Sequence, residues 1–395
     1  MGNLCCFFSY MTSIANIVDA VRNPFCIWRT LRGIEPLCCD GKPRYVVGNA
    51  AVTFFVRHNG ESKVLKCYTR THKNLGIIYG SDFHSRELCI ADLTGRKVWI
   101  DCLLTKFIEG TTLDNLLKEE LSADTLHSIA TAFDRMARQL LSSPRAHGDL
   151  KPENIVVAPD FQSMQAIDWD AAYLPQLNGE QANEIGTAAY QHPARTMEMY
   201  DKHIDDYSIA FLSVFLHAVA IDHATIEYFR KYHEPMLSPK DIIRGKVSEL
   251  ERICDLFAQR GMAREYRLAQ MLRSTSARLF NLRPTLLPEI THSADTSSED
   301  NAPYLDVANG YWGCRDNCRW LIKPLFDNGY EPTYGVMLTE LGGYSHFVDL
   351  EGNVVKSFPM GTRVKPMRDG ATTAYYPNGE QEYIKAEDLL QILDK

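Results

Sequence analysis

Nine residues, His147-Gly148-Asp149-Leu150-Lys151-Pro152-Glu153-Asn154-Ile155, constrain this chain more than any other stretch. Asp149 can accept a proton from a hydroxyl, Lys151 can neutralise a phosphate, and Asn154 can hold a Mg²⁺ ion. The elements on either side define how such a string must be presented. Before it, Leu126, Ile129, Phe133, Met136 and Leu140 recur at three and four residues, which predicts a helix over Ser122–Leu141 with one buried face. After it, Ile155–Ala158 and Gln165–Ile167 read as a short strand pair. The string is therefore a loop held between a long helix and a hairpin.

The rest of the chain divides by periodicity. Arg44–Val47, Val52–Arg57, Lys63–Tyr68, Glu87–Asp92 and Lys97–Ile108 alternate as strands, with His58-Asn59-Gly60 and Thr94-Gly95-Arg96 as turns. They predict a mostly antiparallel sheet of five strands, preceded by a helix and connection over residues 12–32. Thr111-Thr112-Leu113-Asp114 opens a short helix with polar capping residues. Helical segments dominate from Asp205 to about Leu282. The apolar run near Tyr207–Ile221 is too short for a membrane span and contains Ser208, Ser213 and His217, so it reads as a buried core helix. Residues 291–302 have linker composition, and Pro303 to Lys395 turn rich in aromatics, glycine and strand signals.

The loop string resembles the catalytic loop of the eukaryotic-type protein kinase superfamily. A sheet lobe followed by a helical lobe, with the loop chemistry between them, is the layout of that family. The resemblance implies Asp149 as the residue that orients or deprotonates the acceptor, Lys151 at the γ-phosphate, and Asn154 on Mg²⁺. Asp168, in Ile167-Asp168-Trp169-Asp170, lies 13 residues after Ile155, where the metal-binding aspartate of the family is expected. The family pattern there is Asp-Phe-Gly, whereas Asp-Trp-Asp is closer to aminoglycoside- and choline-type kinases. Gly186-Thr187-Ala188-Ala189-Tyr190-Gln191-His192-Pro193 resembles the end of an activation segment, which places Thr187 beside Asp149 and Lys151. Asp205-Asp206-Tyr207-Ser208 resembles the start of the central helix, with Asp205 bonding backbone of the catalytic loop. Lys151 is the Ser/Thr-kinase choice, and the wider string Glu184-Ile185-Gly186…Tyr190-Gln191-His192-Pro193-Ala194-Arg195 looks like a bacterial subgroup.

Upstream, Val64-Leu65-Lys66-Cys67 fits the strand that presents the ATP-anchoring lysine, Lys66. Gly48-Asn49-Ala50-Ala51-Val52-Thr53 stands at the Gly-rich loop with only its first glycine, Gly48, retained. Thr105-Lys106-Phe107-Ile108-Glu109-Gly110 resembles the hinge, so Lys106 and Ile108 are expected at adenine. The resemblance also implies a glutamate partner for Lys66 on a helix after its strand. The Lys73–Phe83 span is short and carries Gly76 and Gly80, which leaves Glu87 as the substitute. Gly148 replaces the arginine that receives an activation-loop phosphate in many kinases, which predicts activity without that phosphorylation. Trp169 and His192 are expected to be structural, and Asp170 to have a surface or loop-bonding role rather than to touch a second metal.

In the last segment, Trp312-Gly313 and Trp320–Asp327 resemble the WG-repeat pattern, with a second copy at Tyr344–Val355 and a worn third at Thr373–Gly379. An SH3-like barrel is the alternative, and a helix over Ala386–Leu393 closes the chain. A net charge of −8 gives no support to nucleic-acid binding. Eleven cysteines without a Cys-x-x-Cys pair imply neither zinc nor a disulfide scaffold, and suit a reducing cytoplasm. Met1-Gly2-Asn3-Leu4-Cys5-Cys6 resembles an acylation signal without the usual Ser/Thr at position 6.

The expected fold is α+β: a 1–33 extension, a two-lobed kinase-like domain over 34–285, a 286–303 linker and an all-β domain over 304–395. The expected activity is ATP- and Mg²⁺-dependent phosphorylation of a protein Ser/Thr hydroxyl. A pseudokinase scaffold and a small-molecule phosphotransferase are the alternatives. A protein substrate, and a protein partner on the C-terminal module, are the expected partners.

Overall fold

The computed structural model describes residues 13–23, 27–92, 94–287, 302–317 and 319–391. The acylation signal at 1–6, most of the 286–303 linker and the last residues of the closing helix lie outside the described residues. The described chain is mixed helix and sheet, with an all-β C-terminal region.

The N-terminal sheet has seven strands. Its spatial order runs from Tyr45–Val47 through Ala51–His58, Glu61–Tyr68 and Lys97–Lys106 to Phe83–Ala91, with two-residue strands at Glu35–Pro36 and Ile27–Trp28. Asn59 (φ 51°) and Gly60 (φ 81°) turn the chain between His58 and Glu61, the left-handed pair that a tight hairpin with right-handed twist requires. Phe83–Ala91 starts before the expected Glu87. Arg86 takes φ 51°, its N–H donates to Asp101 Oδ1 at 2.7 Å, and the pairing slips between His84 and Leu88. That bulge breaks the alternation by which a strand is read from sequence.

Of the described residues before 34, Ile27–Trp28 pairs with the sheet and the Ile14–Arg22 helix packs on its core. Ser13 caps the Ile14–Arg22 helix by accepting from Asn16 N–H at 3.1 Å. Ile17 and Val21, one turn apart on the same face, enter the core with Val52, Phe54, Leu65 and Leu88. Burying two such side chains contributes about 3–6 kcal/mol before entropy is counted.

The helical region is built on Ala123–Ser142, capped by Ser122, and on Asp206–Ile221, which is buried almost all round. Ser248–Gln259 and Ala263–Met271 pack beside them. Among the described residues, no single helix is long and apolar enough to cross a membrane.

The C-terminal strands form sheets of three, four and two strands. The close approach of neighbouring strands explains the Trp312-Gly313 pair, since a Cβ on Gly313 would sit 2.4 Å from the Ile322 carbonyl oxygen. This region shares a core with the helices. Ala258 and Ala263 pack with Cys314, Phe326 and Tyr344. Arg267 donates to the Leu325 carbonyl at 2.7 Å and to Asp327 at 2.7 Å. The all-β region is thus seated on the Ser248–Met271 helical pair by apolar contact and by buried charge.

Candidate functional site

The loop string is fixed from below. Asp205, immediately before the Asp206–Ile221 helix, accepts the N–H groups of His147 and, at 2.8 Å, Gly148. His147 Nδ1 accepts the Asp149 N–H at 3.2 Å, so its other ring nitrogen carries the proton and donates to the Ile167 carbonyl at 2.8 Å. The loop before Asp149 and the strand end before Asp168 are thereby joined through one buried imidazole. The Ile167 N–H also donates to the Asn154 carbonyl at 2.9 Å.

Gly148 has a backbone reason. Its φ is +86°, and a Cβ would lie 2.2 Å from the Ala171 carbonyl oxygen, so no arginine fits in this conformation. Gly186, at φ +85°, likewise lets the 186–187 backbone close on Asp149. The Thr187 N–H donates to Asp149 Oδ1 at 2.7 Å. Asn154 Nδ2 donates to Asp149 Oδ2 at 3.1 Å, and Lys151 Nζ lies 3.2 Å from the same oxygen. Lys151 also donates to Thr187 Oγ1 at 2.9 Å. Asp149, Lys151, Asn154 and Thr187 thus form one bonded group, with both carboxylate oxygens of Asp149 oriented.

A second group adjoins it. Lys66 Nζ donates to Asp168 Oδ1 and Asp170 Oδ2, each at 2.6 Å. Burial works against its ammonium, but the two carboxylates outweigh burial and raise its pKa, so Lys66 is held charged. Asp168 has φ +63°, a costly conformation for a side-chain-bearing residue of the kind that clusters at functional sites, and 42% of its side chain is exposed. The side chain of Asp170 is only 7% exposed. Its Oδ1 accepts from Tyr68 at 3.0 Å and Tyr79 at 2.8 Å. Burial first, then the charge on Asp170, pushes the phenol pKa of each tyrosine up, so both stay donors.

Glu184 faces the same space. Burial, then Asp149, Asp168 and Asp170, raise its pKa above the ordinary 4.5. With Asp205 and the buried Arg195 counted, five carboxylates (Asp149, Asp168, Asp170, Glu184, Asp205) stand against three cations (Lys66, Lys151, Arg195), an excess of two negative charges when all are ionised.

Three expectations need correction. Glu87 does not reach Lys66; its oxygens accept from Thr30 N and Oγ1 and from Leu31 N, at 2.6–2.7 Å. Asp170 bonds across elements rather than within its loop. Gly48 is not in the left-handed region, and a Cβ there would make only ordinary contact with the Ala51 carbonyl oxygen at 3.5 Å. The Gly48 N–H donates to Ala51 O at 2.9 Å, so 48–51 is a tight turn whose first N–H is already paired. Lys106 ends its strand opposite Lys63, and Ile108 follows it half-buried; neither is bonded into the carboxylate group.

Trp169 packs on His147 with ring centroids 4.8 Å apart, under the Arg145 guanidinium. His192 donates to the Ser274 carbonyl at 2.9 Å and accepts the Ala194 N–H, a structural role. Tyr68 and Tyr79 carry no motif, and Glu184 opens the string that resembles the end of an activation segment without a role assigned to it there. Of the two tyrosines, Tyr68 alone had a sequence signal, standing two residues after Lys66 on the same strand face.

One further cluster has the spacing of a metal site. Donor atoms of Asp134, His217 and Glu265, all buried, lie within 4.8 Å of one another. Arg264 Nη2 stands 2.6 Å from Asp134 and 2.5 Å from Glu265, supplying a cation already. No family model and no curated protein matches this sequence.

Proposed function

We propose that this chain is a phosphotransferase of the protein-kinase type, moving the γ-phosphoryl group of ATP to a protein Ser/Thr hydroxyl. The observation that carries the reading is the environment of Asp149. Its two oxygens are oriented by Thr187, Asn154 and Lys151, on a loop pinned by Asp205. A carboxylate fixed in this way can align an incoming hydroxyl and take its proton, because catalysis of this step is largely positioning and charge neutralisation. Lys151 lies where charge on the transferring group would need a counterion. Lys66 is held charged for the phosphates nearer the nucleoside. Asp168 and Asn154 offer the hard oxygen donors that Mg²⁺ takes, and the excess of carboxylates fits such a cation. When bound, Mg²⁺ would neutralise phosphate charge and orient the leaving group. The kinase-like reading of the two lobes belongs to this proposal, as does a protein partner on the all-β region. A cytoplasmic setting is part of the same reading.

The test is incubation of the full chain with Mg²⁺ and γ-labelled ATP, alone and with a generic Ser/Thr protein substrate. Label on protein, lost in Asp149→Asn, is the expected result. Label on a low-mass acceptor instead would move the reading to a small-molecule kinase. No labelled product, together with no nucleotide-induced rise in melting temperature, would leave a scaffold.

A further inference from the structure

Resting on that reading, we propose that Asp170 is the permanent partner of Lys66, a positioning residue that replaces the missing helix glutamate, while Asp168 is a temporary one. The two carboxylates contact the same ammonium at the same 2.6 Å distance, but little else about them is alike. Asp170 is buried, and all its strong acceptor capacity is committed: Oδ2 to Lys66, Oδ1 to Tyr68 and Tyr79. It therefore ties together the Glu61–Tyr68 strand, the Leu75–Tyr79 helix and the 168–173 loop. Lys66 also lies 5.4 Å from the centre of the Tyr68 ring, so strand and carboxylate hold the ammonium from two sides. Asp168 is 42% exposed, and the described hydrogen bonds and ion pairs give its carboxylate only Lys66.

Among the described residues no glutamate is paired with Lys66, and Glu87 is committed to Thr30 and Leu31. In protein kinases the corresponding lysine pairs with a glutamate on a helix whose position controls assembly of the site. Here the anchor sits two residues beyond Asp168 in the same loop. The lysine is consequently set whenever that loop is folded. Asp168 is free to leave Lys66 for a cation without letting the lysine go.

The experiment is calorimetric titration of the full chain with ATP, once with Mg²⁺ and once with EDTA. The wild type is expected to bind in both arms and more tightly with Mg²⁺. Asp170→Asn should weaken both arms by about tenfold or more. It should also raise KM for ATP more than it lowers kcat, a split that general loss of folding would not give. Asp168→Asn should lose the Mg²⁺ gain and keep the EDTA arm. The double variant Tyr68→Phe/Tyr79→Phe, which keeps the carboxylate, should weaken both arms by about threefold. Wild-type affinity in the EDTA arm of Asp170→Asn overturns the proposal and leaves the phosphotransferase reading standing. Should that variant not fold, unchanged affinity in the tyrosine pair overturns it equally. Absence of ATP binding by the wild type overturns the reading itself, and the proposal with it.

Discussion

The molecule contains two clusters of carboxylates around a cation, and they differ in what they leave undone. In the closed cluster, Asp134 accepts from Ser213 at 2.8 Å and His217 at 2.9 Å, and Arg264 joins it to Glu265. Burial would raise the Asp134 pKa, yet His217, Arg264 and Ser213 together bring it below the ordinary carboxylate value. In the open cluster the balance goes the other way. Glu184 is raised, by burial first and then by the carboxylates of Asp149, Asp168 and Asp170. The closed cluster carries its own cation, Arg264, between its two carboxylates. The open cluster combines surplus negative charge, an exposed carboxylate and a left-handed aspartate, which suits a cation.

The comparison breaks first at Asp134. Replacing it with alanine leaves Ser213 and His217 without their buried acceptor and Arg264 with Glu265 alone, and is expected to cost about 1–3 kcal/mol of stability. Chemical denaturation measures this. The Asp134→Ala protein that remains folded at low temperature should bind ATP as the wild type does. Loss of ATP binding without loss of stability would mean that the closed cluster belongs to the site.

The counterpart is Asp168→Ala. Phosphoryl transfer should fall by about 10²-fold or more. Stability should change by less than about 1 kcal/mol, because an exposed partner of an ion pair contributes little and Asp170 keeps Lys66 paired. Full turnover in this variant would remove the metal assignment. A large loss of stability would make the open cluster structural as well.

How much of this was legible in the sequence depends on what each residue answers to. Asp149, Lys151, Asn154 and Asp168 were readable as candidates because the proposed chemistry requires those residue types at short spacing, within one loop and one hairpin. The long helix over Ala123–Ser142 was readable because its buried face repeats with the helical period. Asp134 was not, since a charged residue on that face breaks the pattern and is admitted only because Ser213, His217 and Arg264 arrive from two other helices. The partner of Lys66 was missed for a related reason. Asp170 is 104 residues away along the chain, and Tyr79 approaches it from a five-residue helix with no sequence signature. Gly148 was read as the loss of an arginine. The carbonyl of Ala171 gives glycine a reason at that position that does not involve phosphate at all.

The smallest effect probes the sign of the open cluster's charge. Glu184 has a raised pKa in the fold because of burial and three neighbouring carboxylates. A raised carboxylate binds its proton more tightly folded than unfolded. Its contribution is therefore fully favourable below the ordinary value of 4.5, and is lost as pH rises through the higher folded value. Glu184→Gln should remove that loss and stabilise the chain at pH 7, by no more than about 0.5 kcal/mol because solvent screens a partly exposed carboxylate. It should flatten the stability curve only in the window above pH 4.5, leaving the more acidic limb, where Asp134 is protonated, unchanged. In the wild type, millimolar Mg²⁺ should recover part of the same stability by neutralising the carboxylates, and in Glu184→Gln it should recover less. Equal Mg²⁺ effects in the two proteins would separate Glu184 from the cation's surroundings and confine the open cluster to the three aspartates.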